Sequence, residues 1–180
     1  MSLDKDLRRH HATLGALRGL IGEFEGDAWE RPGHGGGWCP AQVYSHIALI
    51  ADGFSFKNLD VCLKSEGRSG GRKSLVGFIV MGTNVIRASR RIKVAFPPEL
   101  QPASPSREEA QWAMEGLVAR AEAYAPRVAA ADPARRSKHF LLGWMNAAEW
   151  FRFAEIHHRH HLEGQLQRLR TASRDASGLR

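Results

Sequence analysis

The sequence predicts an all-α fold: a bundle of four long helices with one additional short helix. Three observations carry this. Apolar residues recur at helical spacing in several separate stretches, clusters of glycine and proline punctuate the chain between them, and no convincing strand pair is visible. The 180 residues, 43% apolar and 25% charged, suit one domain with a real core. We expect that domain to span residues 1–172, followed by a polar tail at 173–180.

From Asp4 to about Phe24, Leu7, Leu14, Leu17, Leu20 and Ile21 fall on one helical face, with Arg8, Arg9 and Arg18 opposite. The segment Glu30 to Gly37 holds four glycines and one proline in eight residues and reads as a loop. A second helix begins at Cys39-Pro40, because proline at the first helical position gives up an N–H that would be unpaired there in any case. It extends to about Cys62, with Val43, His46, Ile47, Ile50 and Phe54 as its inward stripe. After a polar break at Ser65–Gly71, Ser74 to Arg90 reads as a third helix with Val76, Ile79, Val80, Thr83 and Ile86 inward.

Val94 to Pro105 carries four prolines in twelve residues and must be extended. Ser106 and Glu109 form a capping-box pattern that opens a fourth helix, with Trp112, Leu117, Ala121 and Tyr124 inward and Pro126 ending or kinking it. His139, Phe140 and Gly143 fall in a loop, and Asn146 opens a last long helix to about Thr171.

No apolar run approaches the roughly 20 residues that a membrane helix needs, and no secretory signal is visible, so we expect a cytoplasmic protein without membrane association. Two cysteines, Cys39 and Cys62, are too few for a disulfide framework and are not spaced as a metal or redox motif. Between Cys62 and Lys93 eight basic residues meet the single acid Glu66, a local excess equal to the whole net charge of +7. Few aromatics interleave with these charges, and no helix-turn-helix, zinc-finger or RNA-binding pattern accompanies them, which argues against nucleic acid as the partner. A solvated surface is the plain reading, and anion contacts from Arg87, Arg90 and Arg91 are the functional one.

Of nine histidines, four lie at 157, 158, 160 and 161 in the last helix. At 100° per residue, His157 and His161 fall about 20° to either side of Trp150, on the apolar face, while His158 and His160 stand about 80° away. Two imidazoles one turn apart on one face suit a divalent metal, and burying them without a partner is costly. A third ligand must come from another helix, and His46 interrupts the apolar stripe of the second. Each signal also has a plain alternative: His46 as a satisfied core residue, and the pair as a solvated helix face. His10, His11, His34 and His139 read as structural or surface residues.

The string Gly37 to His46, GWCPAQVYSH, resembles the Trp-Ser-x-x-Gln-Val-Leu-x-His signature of DinB-like (YfiT-type) four-helix-bundle proteins. His139 to Leu166 resembles that family's closing segment, with its His-Pro-x-x-Gly, Glu-Trp and His-x-x-His-His-Leu-x-x-Gln elements, most closely in a subfamily of unannotated function. Cys39 replaces the usual capping serine, and Gly164 sets Gln165 one step later than in some members. The resemblance implies one divalent metal held by His46, His157 and His161, and three neutral imidazoles suit zinc or nickel better than calcium or magnesium. It further implies a metal-dependent transferase, isomerase or hydrolase that activates a low-molecular-weight thiol or water. A non-catalytic metal- or ligand-binding bundle protein, stress-related, is the alternative, and a homodimer is left open. Trp38 and Trp150 are expected to be structural.

Overall fold

The computed structural model of the chain describes residues 2–64, 68–86, 101–176 and 178. It is mostly helical. Helix α1 (Leu3–Ile21) buries Leu14, Leu17, Leu20 and Ile21, the face that its periodicity selects. It is followed by a single 3-10 turn, Gly26–Trp29. Helix α2 (Pro40–Ile50) continues through a π-helical segment, Ala51–Phe56, into α3 (Lys57–Leu63), all with right-handed helical backbone at the junctions. A short α4 (Leu75–Thr83) and a long α5 (Arg107–Ala129) come next. Helix α6 (Ala147–His160) likewise passes through a π-helical segment, His161–Leu166, into α7 (Gln167–Ala176).

The capping box expected at Ser106 forms, and α6 opens on another. Ser106 Oγ accepts from the Glu109 N–H at 3.1 Å, and Glu109 Oε2 accepts from the Ser106 N–H at 2.7 Å. Asn146 and Glu149 repeat the exchange at 3.0 Å each way. Two orphan backbone donors are thereby satisfied at each helix start.

Helix α1 packs against α5 and α6, α2 against α5, and α3 against α6. The core between them is built on Leu14, Leu17, Tyr44, Ile47, Met114, Phe151 and Ile156. Polar ties cross it: Thr13 Oγ1 donates to Glu155 at 2.9 Å, Arg152 Nε donates to Asp6 at 3.0 Å, and the Tyr44 hydroxyl donates to the Leu17 carbonyl at 2.7 Å.

Four expectations are corrected. The chain does contain strands: β1 (Arg68–Ser69), β2 (Arg135–His139) and β3 (Gly143–Asn146) form an antiparallel sheet in that order, with Ser137 opposite Met145 and His139 opposite Gly143. The inward positions of β2 are Ser137 and His139, so no alternation of apolar residues announces it. Helix α4 buries Gly77, Val80 and Met81, while Val76 and Ile79 are exposed. Asn84, in the left-handed conformation at φ 54°, closes it well short of Arg90. Trp112 is 60% exposed, and Met114 takes the inward place instead. Of the two outcomes expected at Pro126, an end or a kink, the end is corrected: α5 runs on to Ala129 with Pro126 inside it.

Candidate metal centre

Helix α2 sets the first of the candidate ligands. Gln42 Oε1 accepts from the Cys39 N–H at 3.2 Å, which pins the helix start although Cys39 is a poor cap. Val43, Ile47 and Ile50 are buried on the same stripe, and His46 is buried among them at 3% exposure. The Trp38 ring, in the segment entering the helix, lies 4.8 Å from the His46 ring.

Helix α6 and the π-helical segment after it supply the other two. Trp150, Phe153 and His157 descend one face towards His161, with Phe153 and His157 rings 6.1 Å apart. The Nε2 atoms of His157 and His161 face each other at 3.2 Å. Ring centroids lie 5.2 Å apart for His46 and His157 and 4.8 Å for His46 and His161. One ring nitrogen of each of the three lies within 4.8 Å of the others.

His161 Nδ1 pairs with Gln165 Oε1 at 3.3 Å. With the proton on Nδ1, the amide oxygen accepts it and the Nε2 lone pair is free to face the cluster. Gln165 lies in the π-helical segment itself, four residues after His161.

Electrostatics keep these rings uncharged. Burial pushes His46 down to about 4, with His160 adding to it, and burial together with His46 and His160 pushes His161 down to about 3. His157 is held well below its ordinary value by burial and by the neighbouring imidazoles. All three are neutral at pH 7, the form that ligates a metal.

The donor set fits a divalent ion. With metal–nitrogen bonds of about 2.0–2.1 Å, two tetrahedral ligands stand about 3.3 Å apart. The Nε2 atoms of His157 and His161 already stand at that spacing. Among the described residues no carboxylate or thiol joins the cluster.

The sequence profile of the DinB superfamily matches residues 9–164, most of the chain. The chain belongs to the DinB superfamily. No curated protein and no solved structure gives a match.

In this DinB-superfamily chain the other histidines divide sharply. His158 is fully buried on the far side of α6, its ring 5.9 Å from that of His10, and neither of its nitrogens has a hydrogen-bond partner among the described residues. His10 Nε2 bonds the Phe151 carbonyl at 2.9 Å. His139 is buried as well: its Nδ1 accepts from the N–H groups of Leu141 and Leu142, and its ring stacks on Trp150. His11 and His34 are exposed, and His11 faces Glu122.

Trp150 is fully buried, in keeping with a structural part. Trp38 does more than mark the helix entry, since it forms one wall of the His46 site. Gln165 is the residue whose place in the site was legible only as a motif position. Arg87, Arg90 and Arg91 lie outside the described residues. Lys73, from the same basic stretch, is paired with Glu149. Among the described residues no helix is long and apolar enough to cross a membrane.

Proposed function

We propose that this protein binds one divalent metal ion, zinc or nickel, through His46, His157 and His161, and uses it to activate a small thiol or water for transfer, isomerisation or hydrolysis. The observation that carries the reading is the convergence of three neutral imidazoles, two of them with Nε2 atoms at the spacing of tetrahedral ligands. Three imidazoles suit a borderline metal better than calcium or magnesium, which prefer oxygen. The α1, α2–α3, α5 and α6–α7 rods are read as the four helices of a DinB-type bundle, with residues 1–172 as one domain and 173–180 as its tail. A cytoplasmic setting agrees with the two cysteines being free and buried.

A divalent ion held by three protein ligands keeps a position for water or thiol and lowers the pKa of whatever binds there. The chain's own residues do the rest. Gln165 holds the proton on His161 Nδ1, Trp38 packs beside His46, and Phe153 packs beside His157, so apolar rings flank the cluster on two sides.

A non-catalytic metal-binding role is the second reading. It is favoured by the absence of a nearby general base among the described residues: the buried carboxylate of Glu155 is engaged by Thr13 and Arg159.

The test is elemental analysis of purified protein and of the His46→Ala, His157→Ala and triple His→Ala variants, with folding checked by circular dichroism. About one metal per chain in the wild type and none in the folded triple variant is expected. Stoichiometric metal in that variant overturns the site. Titrating cobalt-loaded protein with small thiols then separates the two readings, because only an open position gives a thiolate-to-metal charge-transfer band.

A further inference from the structure

Beside the three histidines lies a second feature that the metal reading does not use. A cavity of about 250 Å³ opens between the residues that follow α4 and the rod formed by α6, the π-helical segment and α7, lined by Val85 and Ile86 from the first and by Ile156, His160, Gln165 and Arg168 from the second. That volume equals the liquid share of roughly eight water molecules, enough for a small organic molecule.

The polar wall has one unmet need. Arg159 and Glu163 also line it: Arg159 is bound to the Glu155 carboxylate at 2.8 Å and to the Asn84 carbonyl at 2.6 Å, and the Glu163 carboxylate is paired with Arg159 at 3.8 Å. Arg168 is engaged by no carboxylate among the described residues. Its guanidinium instead folds back over Gly164, with Nη1 3.8 Å from where a Cβ would stand. Gln165 spends its oxygen on His161, so its amide N–H₂ is left as a donor at the cavity. A planar guanidinium fork and a nearby amide donor fit a carboxylate, and the three aliphatic side chains fit a short apolar body.

We propose that this cavity binds a small organic acid, its carboxylate held by Arg168 and the Gln165 amide. Resting on the metal reading above, it supplies the substrate class of that site: a carboxylate compound whose remainder extends towards His161. Gln165 touches both features, and the His160 ring on the cavity wall lies 5.2 Å from the His161 ring, so the bound acid sits one side chain from the metal ligands.

The experiment uses the full chain, metal-free and zinc-loaded, titrated with butanoate and with butanamide, its neutral counterpart. Binding is read from the side-chain NMR signals of Arg168 Nε and the Gln165 amide. Butanoate is expected to shift both signals saturably and to bind about tenfold or more tightly than butanamide, the scale of a charge-assisted hydrogen bond. Arg168→Gln should abolish the preference and Arg168→Lys should keep part of it. Because Arg168 is solvent-exposed, these variants should fold as the wild type does.

Equal response to the two ligands, or a preference that survives Arg168→Gln, overturns the proposal. A butanoate preference in protein that holds no zinc through its histidines leaves the cavity assigned and removes the metal. Zinc bound by the three histidines with no butanoate preference removes the cavity alone.

Discussion

A Cβ placed on Gly77 would stand 2.1 Å from the carbonyl oxygen of Leu142, closer than any side chain can approach. This contact explains how α4 sits. The helix lies flat on the turn between β2 and β3, where the Ser74 hydroxyl donates to the Leu141 carbonyl at 2.7 Å and the Ser74 N–H donates to Leu142 at 2.9 Å. Gly77→Ala must push backbone against backbone, so it should destabilise the protein by about 2–3 kcal/mol, the upper part of the range for overpacking. Gly82→Ala, in the same helix with open space around it, should be neutral or stabilise by about 0.5–1 kcal/mol. Denaturant titration of the two variants checks the contrast.

The same contact shows why the face of α4 was not legible in the sequence. Apolar periodicity nominated Val76 and Ile79, but the residue that packs closest is the one without a side chain. The β2–β3 hairpin was hidden for a related reason: its inward positions are Ser137 and His139, held by hydrogen bonds to Asn58, Leu141 and Leu142 and not by apolar burial. What was legible obeys local rules. The capping residues at Ser106 and Asn146 act within one turn of their own helices, and the phase of His157 and His161 follows from helical geometry over the short stretch from Trp150. That His46 meets them across the fold depends on packing, and it was signalled by its intrusion into an apolar stripe and by the resemblance of Gly37 to His46 to the DinB-like signature.

Trp150 and Trp38 should separate stability from metal binding. Trp150 is fully buried among Phe54, His139 and Phe153, and Trp150→Ala should cost about 3–5 kcal/mol. Trp38 is half-buried against His46, and Trp38→Ala should cost less stability while weakening zinc binding. Melting curves of metal-free protein and a competitive chelator titration measure the two effects. A Trp38 variant that loses stability and keeps zinc affinity returns that residue to a purely structural part.

Gln165 is expected to tune the metal through His161. Replacing the amide by an isosteric apolar group, Gln165→Leu, removes the acceptor that holds the Nδ1 proton, and partners of this kind typically govern metal affinity by 10–100-fold. The folded stability of the metal-free protein should change little, because the pair at 3.3 Å is long for a hydrogen bond and only part-buried. Zinc affinity in competition with a chelator, beside a denaturant curve, tests both halves.

The buried histidines give the protein a steep response to acid. Burial lowers His10, His46, His139, His157, His158 and His161. In the unfolded chain each takes up a proton near pH 6.5, its ordinary value, while the folded state keeps it neutral. The unfolded state then binds more protons, so stability is complete above about pH 6.5 and falls as pH drops below it. For His139, pushed down to about 4 by burial, the loss runs from about 6.5 to about 4 at about 1.4 kcal/mol per pH unit. His139→Asn isolates this share, because an amide oxygen can accept the N–H groups of Leu141 and Leu142 as Nδ1 does, but takes up no proton. The variant should be less stable at pH 7, having lost the ring stacked on Trp150, yet its stability should decline less steeply between pH 6 and pH 4.5. Denaturant midpoints of metal-free protein across that range measure the slope, and an unchanged slope would show that the folded state admits the proton on His139.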